Sequence, residues 1–123
     1  MKRDEYLSTN FRRYEFECQG GACCCGSAPI DQRLVDLLQA VRDDLERPIK
    51  VTCGFRCIKH NAQTKDAVVD SYHTIGHAAD ITCYGIRIDD LHLVVQRACE
   101  SMGYGYIILY RDRNFIHVDI RNY

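Results

Sequence analysis

His73 and Asp80 stand seven residues apart in Ser71-Tyr72-His73-Thr74-Ile75-Gly76-His77-Ala78-Ala79-Asp80, around a glycine and a pair of alanines. An imidazole and a carboxylate so spaced can share a divalent metal. A third donor stands in Phe115-Ile116-His117-Val118-Asp119, where His117 alternates with apolar neighbours as a strand residue does. Two neutral imidazoles and one carboxylate leave a fourth tetrahedral position open, as in zinc sites that activate water, whereas structural zinc sites close all four. The residue types therefore point to hydrolysis at one zinc ion held by His73, Asp80 and His117.

Those donors need elements to carry them. From Asp31 to Glu46 the residues Leu34, Leu37, Leu38, Val41 and Leu45 recur at helical spacing, with Asp31 placed to cap the start and Pro48 to stop it. Ile49 to Cys53 reads as a short strand running into a Gly54-Phe55-Arg56 turn, and Cys57 to Thr64 as a helical turn before a loop to Ser71. His77 to Cys83 reads as a strand with Ala78, Asp80 and Thr82 on one face and Ala79, Ile81 and Cys83 on the other. A second helix, from Asp89 or Asp90 to Met102, buries Leu91, Val94, Val95, Ala98 and Met102 and ends at Gly103. Tyr104 to Tyr110 and Phe115 to Arg121 form a hairpin about the polar turn Arg111-Asp112-Arg113-Asn114. On its second strand Ile116, Val118 and Ile120 share the core face, and Phe115, His117, Asp119 and Arg121 share the other. The expected fold is α+β, a small antiparallel sheet with helices packed on one face. It is read as a single domain over residues 1–123, with a cysteine-rich segment, residues 1–28, packed on it.

Composition narrows the function classes. The 123 residues are 46% hydrophobic and 27% charged, the values of an ordinary globular chain able to bury a core. A formal net charge of -1 leaves no basic footprint for nucleic acid. No stretch reaches transmembrane length, and Met1-Lys2-Arg3-Asp4-Glu5 is followed by no apolar run of the kind a secretory signal carries. The expectation is synthesis in the cytoplasm, a monomer, and neither a membrane nor a nucleic-acid partner. The 8 cysteines include Cys18, Cys23, Cys24 and Cys25, which lack paired Cys-x-x-Cys spacing. Thiols are the first reading for them, with disulfides and a second metal as the alternatives.

The pattern His73-x-x-Gly76-x-Ala78-x-Asp80, followed by His117-x-Asp119, resembles the M15 zinc peptidases, the D-alanyl-D-alanine carboxypeptidase-like enzymes of peptidoglycan. Cys53-Gly54-Phe55-Arg56-Cys57 with His60-Asn61 is similar to that family's Ser-Gly-Tyr-Arg-Cys segment and its downstream His-Asn, so the resemblance runs from about Phe11 to Arg121. It implies the fold shared by DD-peptidases and the hedgehog signalling domain, one zinc ion, and hydrolysis of stem peptides as a D,D- or L,D-carboxypeptidase or endopeptidase. It also implies that Arg56 binds or polarises the substrate's carbonyl or terminal carboxylate. Several branches of the family place the acid/base carboxylate three residues before the last histidine, where this chain has Asn114. Asp119, on the face of His117, is the first alternative as base or brace, and Asp112 in the hairpin turn the second. Ser71 is placed to orient His73 from behind. His60, His77 and His92 are read as surface or structural residues, and the loop Thr64 to Asp70 replaces a Val-Gly-Gly stretch of the family. A cell-wall substrate would require delivery, for example by phage lysis or a tail device. The competing function is a zinc-containing binding module without catalysis, and a zinc amidase of similar scaffold is the alternative among enzymes.

Overall fold

The computed structural model describes residues 5–17, 30–55 and 72–121. Helix α1 (Gln32–Leu45) forms over the apolar spacing, which buries Leu34, Val35, Leu37, Leu38 and Val41 on one stripe. Its N-cap is Asp31, whose carboxylate accepts from the backbone N–H of Arg33 at 2.9 Å. Glu46 closes the helix in the left-handed region at φ 56°. Strand β1 (Lys50–Cys53) follows, then β2 (Ala78–Thr82), helix α2 (Ile88–Met102), β3 (Tyr106–Tyr110), a short 3-10 turn (Arg111–Arg113) and β4 (Phe115–Asp119). Helix α2 ends where Gly103, at φ 81°, donates its N–H to the Cys99 carbonyl at 2.9 Å.

The four strands form one antiparallel sheet in the order β1-β2-β4-β3. After β2 the chain passes through α2 to the far edge, and the β3–β4 hairpin returns β4 into the place beside β2. The α+β expectation stands. The strands are shorter than the apolar pattern predicts at two ends: Gly105 at φ 120° precedes β3, and β4 ends at Asp119, although Ile120 still donates to the His77 carbonyl in register at 3.1 Å. The helical turn expected over Cys57 to Thr64 lies outside the described residues. No helix among the described residues is long and apolar enough to cross a membrane.

Alternation along the strands separates core from site. Val51, Ala79, Ile81, Ile116 and Val118 are buried in one cluster with the apolar stripes of α1 and α2. Phe11 and Phe16 belong to the same cluster, so the N-terminal segment completes the core. A 3-10 turn (Arg13–Phe16) presents Phe16, and the Glu15 side chain accepts from the Arg12 N–H at 2.7 Å to set the entry of that turn.

The turn after β1 is built against this segment. Phe55 donates its backbone N–H to the Phe16 carbonyl at 2.7 Å. A Cβ at Gly54 would lie 2.6 Å from the Phe16 Cα and 2.8 Å from its carbonyl oxygen, so only glycine allows this approach. Backbone cannot yield as a flexible side chain does. Gly54→Ala is therefore expected to destabilise the fold by about 1–3 kcal/mol, the usual cost of overpacking. Urea unfolding in the presence of a chelator measures it, and an unchanged midpoint would show that the segment is not held at this contact.

Candidate metal centre

Strand pairing brings the donors into one row. Cys53 on β1 pairs with Asp80 on β2, beyond a register irregularity after Val51. Asp80 in turn pairs with His117 on β4. Directly opposed residues project to the same face, and that face is the one turned away from the helices. The third donor arrives from the chain just before β2, where Tyr72–Ile75 forms a 3-10 turn carrying His73. Gly76, at φ 74°, reverses the chain into the strand, as the glycine in this motif predicts. The turn is tied down at both ends: His77 donates its N–H to the Tyr72 carbonyl at 3.0 Å, and Asp31 donates its own to the Gly76 carbonyl at 3.0 Å. His77 itself points its Nε2 to Asp31 of the α1 cap at 3.5 Å, a structural partner as its sequence position suggests.

Two imidazoles converge on one oxygen. His73 Nε2 lies 3.3 Å from Asp80 Oδ1, and His117 Nδ1 lies 3.1 Å from the same atom. The edge of a tetrahedron with bonds of ~2.0–2.1 Å is roughly 3.3 Å, so these separations are those of ligands around a zinc ion. The rings meet edge to face with centroids 5.2 Å apart.

What stands behind each ring decides which nitrogen is offered. His73 donates from Nδ1 to the Gly54 carbonyl at 2.8 Å, which leaves Nε2 to face Asp80. His117 donates from Nε2 to Asp119 Oδ2 at 2.8 Å, which leaves Nδ1 to face Asp80. A hydrogen bond from the distal ring nitrogen is the usual way a metal-binding histidine is oriented. The donor set thus fits a divalent ion in residue type and orientation, with each imidazole nitrogen at a ligand's separation from Asp80 Oδ1. The side chains of His117 and Asp80 are 12% and 16% exposed, so the row opens to solvent at its edge while His73 is buried.

Cys53 adds a feature that the spacing of the histidines does not announce. Cys53, His73 and Asp80 lie with potential ligand atoms within 4.8 Å of one another. Its thiol approaches His73 Nδ1 at 3.7 Å, on the ring edge that already donates to Gly54. Sulfur therefore sits behind His73 rather than opposite it. Cys53, Cys83 and Cys99 are unbridged thiols, and the other cysteines lie outside the described residues.

Burial bears on Asp119, for which the sequence leaves base and brace open. It is 0% exposed, and besides His117 its two oxygens accept from the Arg121 backbone N–H at 3.0 Å and from the guanidinium at 2.6–3.1 Å. Burial alone would raise its pKa, but the bonds from His117 and Arg121 hold it well below the usual carboxylate range. A general base needs a reachable lone pair and a pKa near the working pH. Both oxygens of Asp119 are engaged by His117 and Arg121. Asp112, the other carboxylate considered, is exposed in the hairpin turn. Arg56 and Ser71 lie outside the described residues. The Gly54 carbonyl and Arg121 were missed as parts of the site. Arg121 had a signal, since it alternates with His117 and Asp119 on one strand face, but a backbone carbonyl has none.

Known proteins share this arrangement of chain. The Peptidase M15 family profile matches residues 9–119. Peptidoglycan L,D-endopeptidase MepK of Escherichia coli is 31% identical over 96 residues, covering 73% of this chain and 50% of that one. Probable peptidoglycan L,D-endopeptidase MepK of Haemophilus influenzae is 35% identical over 75 residues, 58% of this chain and 38% of that one. The chain thus spans about half the length, or less, of the curated relatives it matches. The crystal structure of Serratia marcescens L-Ala D-Glu endopeptidase ChiX superposes with a TM-score of 0.61 at 16% identity, over 75% of this chain and 80% of that one, and so shares the fold.

Protonation opposes metal binding here. Against burial, hydrogen bonds with Asp80 and Cys53 raise His73 from 6.5 to about 10 in the metal-free protein. Also against burial, His117 and His73 lower Asp80 from 3.8 to about 2. The stability His73 contributes is therefore full below 6.5 and lost as pH rises through about 10. That of Asp80 is full above 3.8 and lost as pH falls through about 2. A metal needs the imidazoles neutral, so its binding must expel protons and strengthen as pH rises. The rise in Tm on adding zinc to chelated protein is expected to grow between about pH 6 and about pH 8. Calorimetry in buffers of different ionisation enthalpy should show net proton release, and zero release would overturn this electrostatic account. Cys53→Ser is expected to retain a full equivalent of zinc, measured by elemental analysis, because the thiol stands behind His73; loss of the metal would make Cys53 a ligand.

Proposed function

The chain belongs to the M15 peptidases, and we propose that it is a zinc peptidase that hydrolyses the stem peptides of peptidoglycan. The observation that carries this reading is the convergence of His73 Nε2 and His117 Nδ1 on Asp80 Oδ1 on the face of the sheet turned away from the helices. A site of three protein ligands open on one side is the form that catalytic rather than structural zinc takes. Zinc there would supply a water of lowered pKa and a Lewis acid for the scissile carbonyl.

The chain's own residues do the remaining work. His73, Asp80 and His117 hold the ion, and the Gly54 carbonyl and Asp119 keep the two rings turned toward it. Asp119 therefore acts as a positioning residue. On the same sheet face Phe115 stacks on Tyr110 with centroids 4.6 Å apart, a flat apolar wall along which an extended peptide can lie. Arg56 binds the carbonyl or carboxylate of the substrate, a role supported by its Gly-Phe-Arg segment. The names of the relatives, L,D-endopeptidase and L-Ala D-Glu endopeptidase, support cleavage between an L- and a D-residue inside the stem peptide over removal of a terminal residue. A monomer delivered to the wall is the working state we propose.

Mass spectrometry of muropeptides incubated with the protein tests this reading. Cleavage at an L,D bond is expected, with chelation and His117→Ala each abolishing it. Bound zinc without cleavage, beside an active control enzyme, would favour the binding module. Arg56→Ala is expected to keep its zinc and to lose about 10²–10³ in kcat, the loss typical of one oxyanion donor. Asp112→Asn addresses the proton carrier: a fall of about 10²–10⁴ assigns it. An unchanged rate moves that role to segment 56–71, which contains Asp66 and Asp70.

A further inference from the structure

Arg121 touches the supports of both histidines. Its Nε and Nη2 donate to the buried Asp119, the residue that receives the Nε2 proton of His117. Its guanidinium carbon also lies 4.8 Å from the ring centroid of Tyr72 and 3.7 Å from that of Tyr106. Tyr72 opens the 3-10 turn whose next residue is His73, and the Tyr72 carbonyl closes that turn by accepting from His77. Tyr106 lies on β3 opposite Asp119. One side chain thus reaches the brace of one ligand, the turn bearing the other, and the edge strand beside them.

We infer that Arg121 is a positioning residue for the metal centre, a clamp that fixes the two histidine ligands relative to each other through Asp119 on one side and Tyr72 on the other. The inference rests on the metal reading of His73, Asp80 and His117. The planar fork suits the task. It satisfies a carboxylate with two parallel N–H groups and presents flat faces to aromatic rings, which a lysine ammonium does not do. Without the fork, Asp119 would keep a buried charge answered only by His117 and the backbone N–H of residue 121, and would be held less firmly. His117 would then lose the fixed acceptor that directs its Nδ1 toward Asp80. The Tyr72 turn would lose its contact with β4 at the same time.

The contacts separate this role from substrate recognition. The Arg121 side chain is 27% exposed, and its Nε and Nη2 are directed at Asp119 rather than at the open edge of the row. Its removal should therefore appear in the affinity and geometry of the metal before it appears in KM.

Zinc affinity by chelator competition, with cobalt absorption as a report on ligand geometry, tests the clamp in the full chain. Arg121→Ala is expected to bind zinc about 10–100-fold more weakly, as when an outer-shell partner is lost. Arg121→Lys should fall between it and wild type, and Tyr72→Leu should weaken zinc while leaving Asp119 in place. Because Arg121 acts on His117 through Asp119, Arg121→Ala added to Asp119→Asn should cost less than the sum of the two alone. Circular dichroism checks that each variant is folded, and Arg121→Lys carries the test if Arg121→Ala is not. Folded variants with unchanged zinc affinity and cobalt spectrum, or with only a raised KM, would overturn the clamp. Wild-type protein that binds no zinc would overturn the metal reading beneath it.

Discussion

The site depends on one pairing, the antiparallel register that sets Asp80 on β2 opposite His117 on β4. Side chains alternate between faces along a strand, so a slip of a single residue would turn one strand's polar set into the core and bring its apolar set to the site. Val118 and Ile116 are fully buried beside Ala79 and Ile81 on the other face, and their burial holds the register. Removing a Leu- or Val-sized side chain from water is worth about 1.5–3 kcal/mol, so Val118, Ile116 and Ile81 together outweigh any single polar contact in the row. The core therefore specifies the ligand geometry. The polar face inherits its alignment from the apolar one.

Alignment alone does not make a metal site, because an imidazole can offer either nitrogen. Here the two histidines are committed oppositely, His73 by a backbone carbonyl and His117 by a carboxylate. The choice of acceptor follows from location. His73 sits beside the turn where Gly54 leaves a carbonyl in reach, and that carbonyl is in reach because the absent Cβ lets the Phe16 backbone press against the turn. His117 sits mid-strand, where the next side chain on its face is Asp119. The N-terminal segment, distant in sequence from both histidines, therefore bears on the tautomer of one of them.

Much of this was legible in the chain, for reasons that are local. Helix α1 could be placed because five leucines and valines mark its stripe and Asp31 its start, and α2 because Gly103 ends it. The faces of β2 and β4 follow from period-two alternation, which put Asp80 and His117 among polar neighbours and Ile81 and Ile116 among apolar ones. Strand order did not follow, since the insertion of β4 between β2 and β3 depends on contacts far apart in sequence. Nor did the burial of Asp119: a residue two after His117 on one face can either brace it or face the substrate, and the local pattern is the same for both. Cys53 was read as part of a turn motif, and its approach to His73 arises from a register irregularity in β1 that no local pattern marks.

The same geometry explains why a metal suits this fold electrostatically. In its absence two imidazoles and a carboxylate share a largely desolvated corner. Against burial, bonds to Asp119 and Asp80 raise His117, though the charge on neighbouring His73 works against this. His73 and His117 then share Asp80 between them, with Asp119 buried behind His117. A divalent ion held by His73, Asp80 and His117 would take the place of ring protons facing Asp80 and would leave each ring's outer hydrogen bond in place. Binding energy of this kind adds directly to folding. An ion bound there would tie the turn before β2 to the central strands through His73, beside the hydrogen bond that His73 already makes to the Gly54 carbonyl.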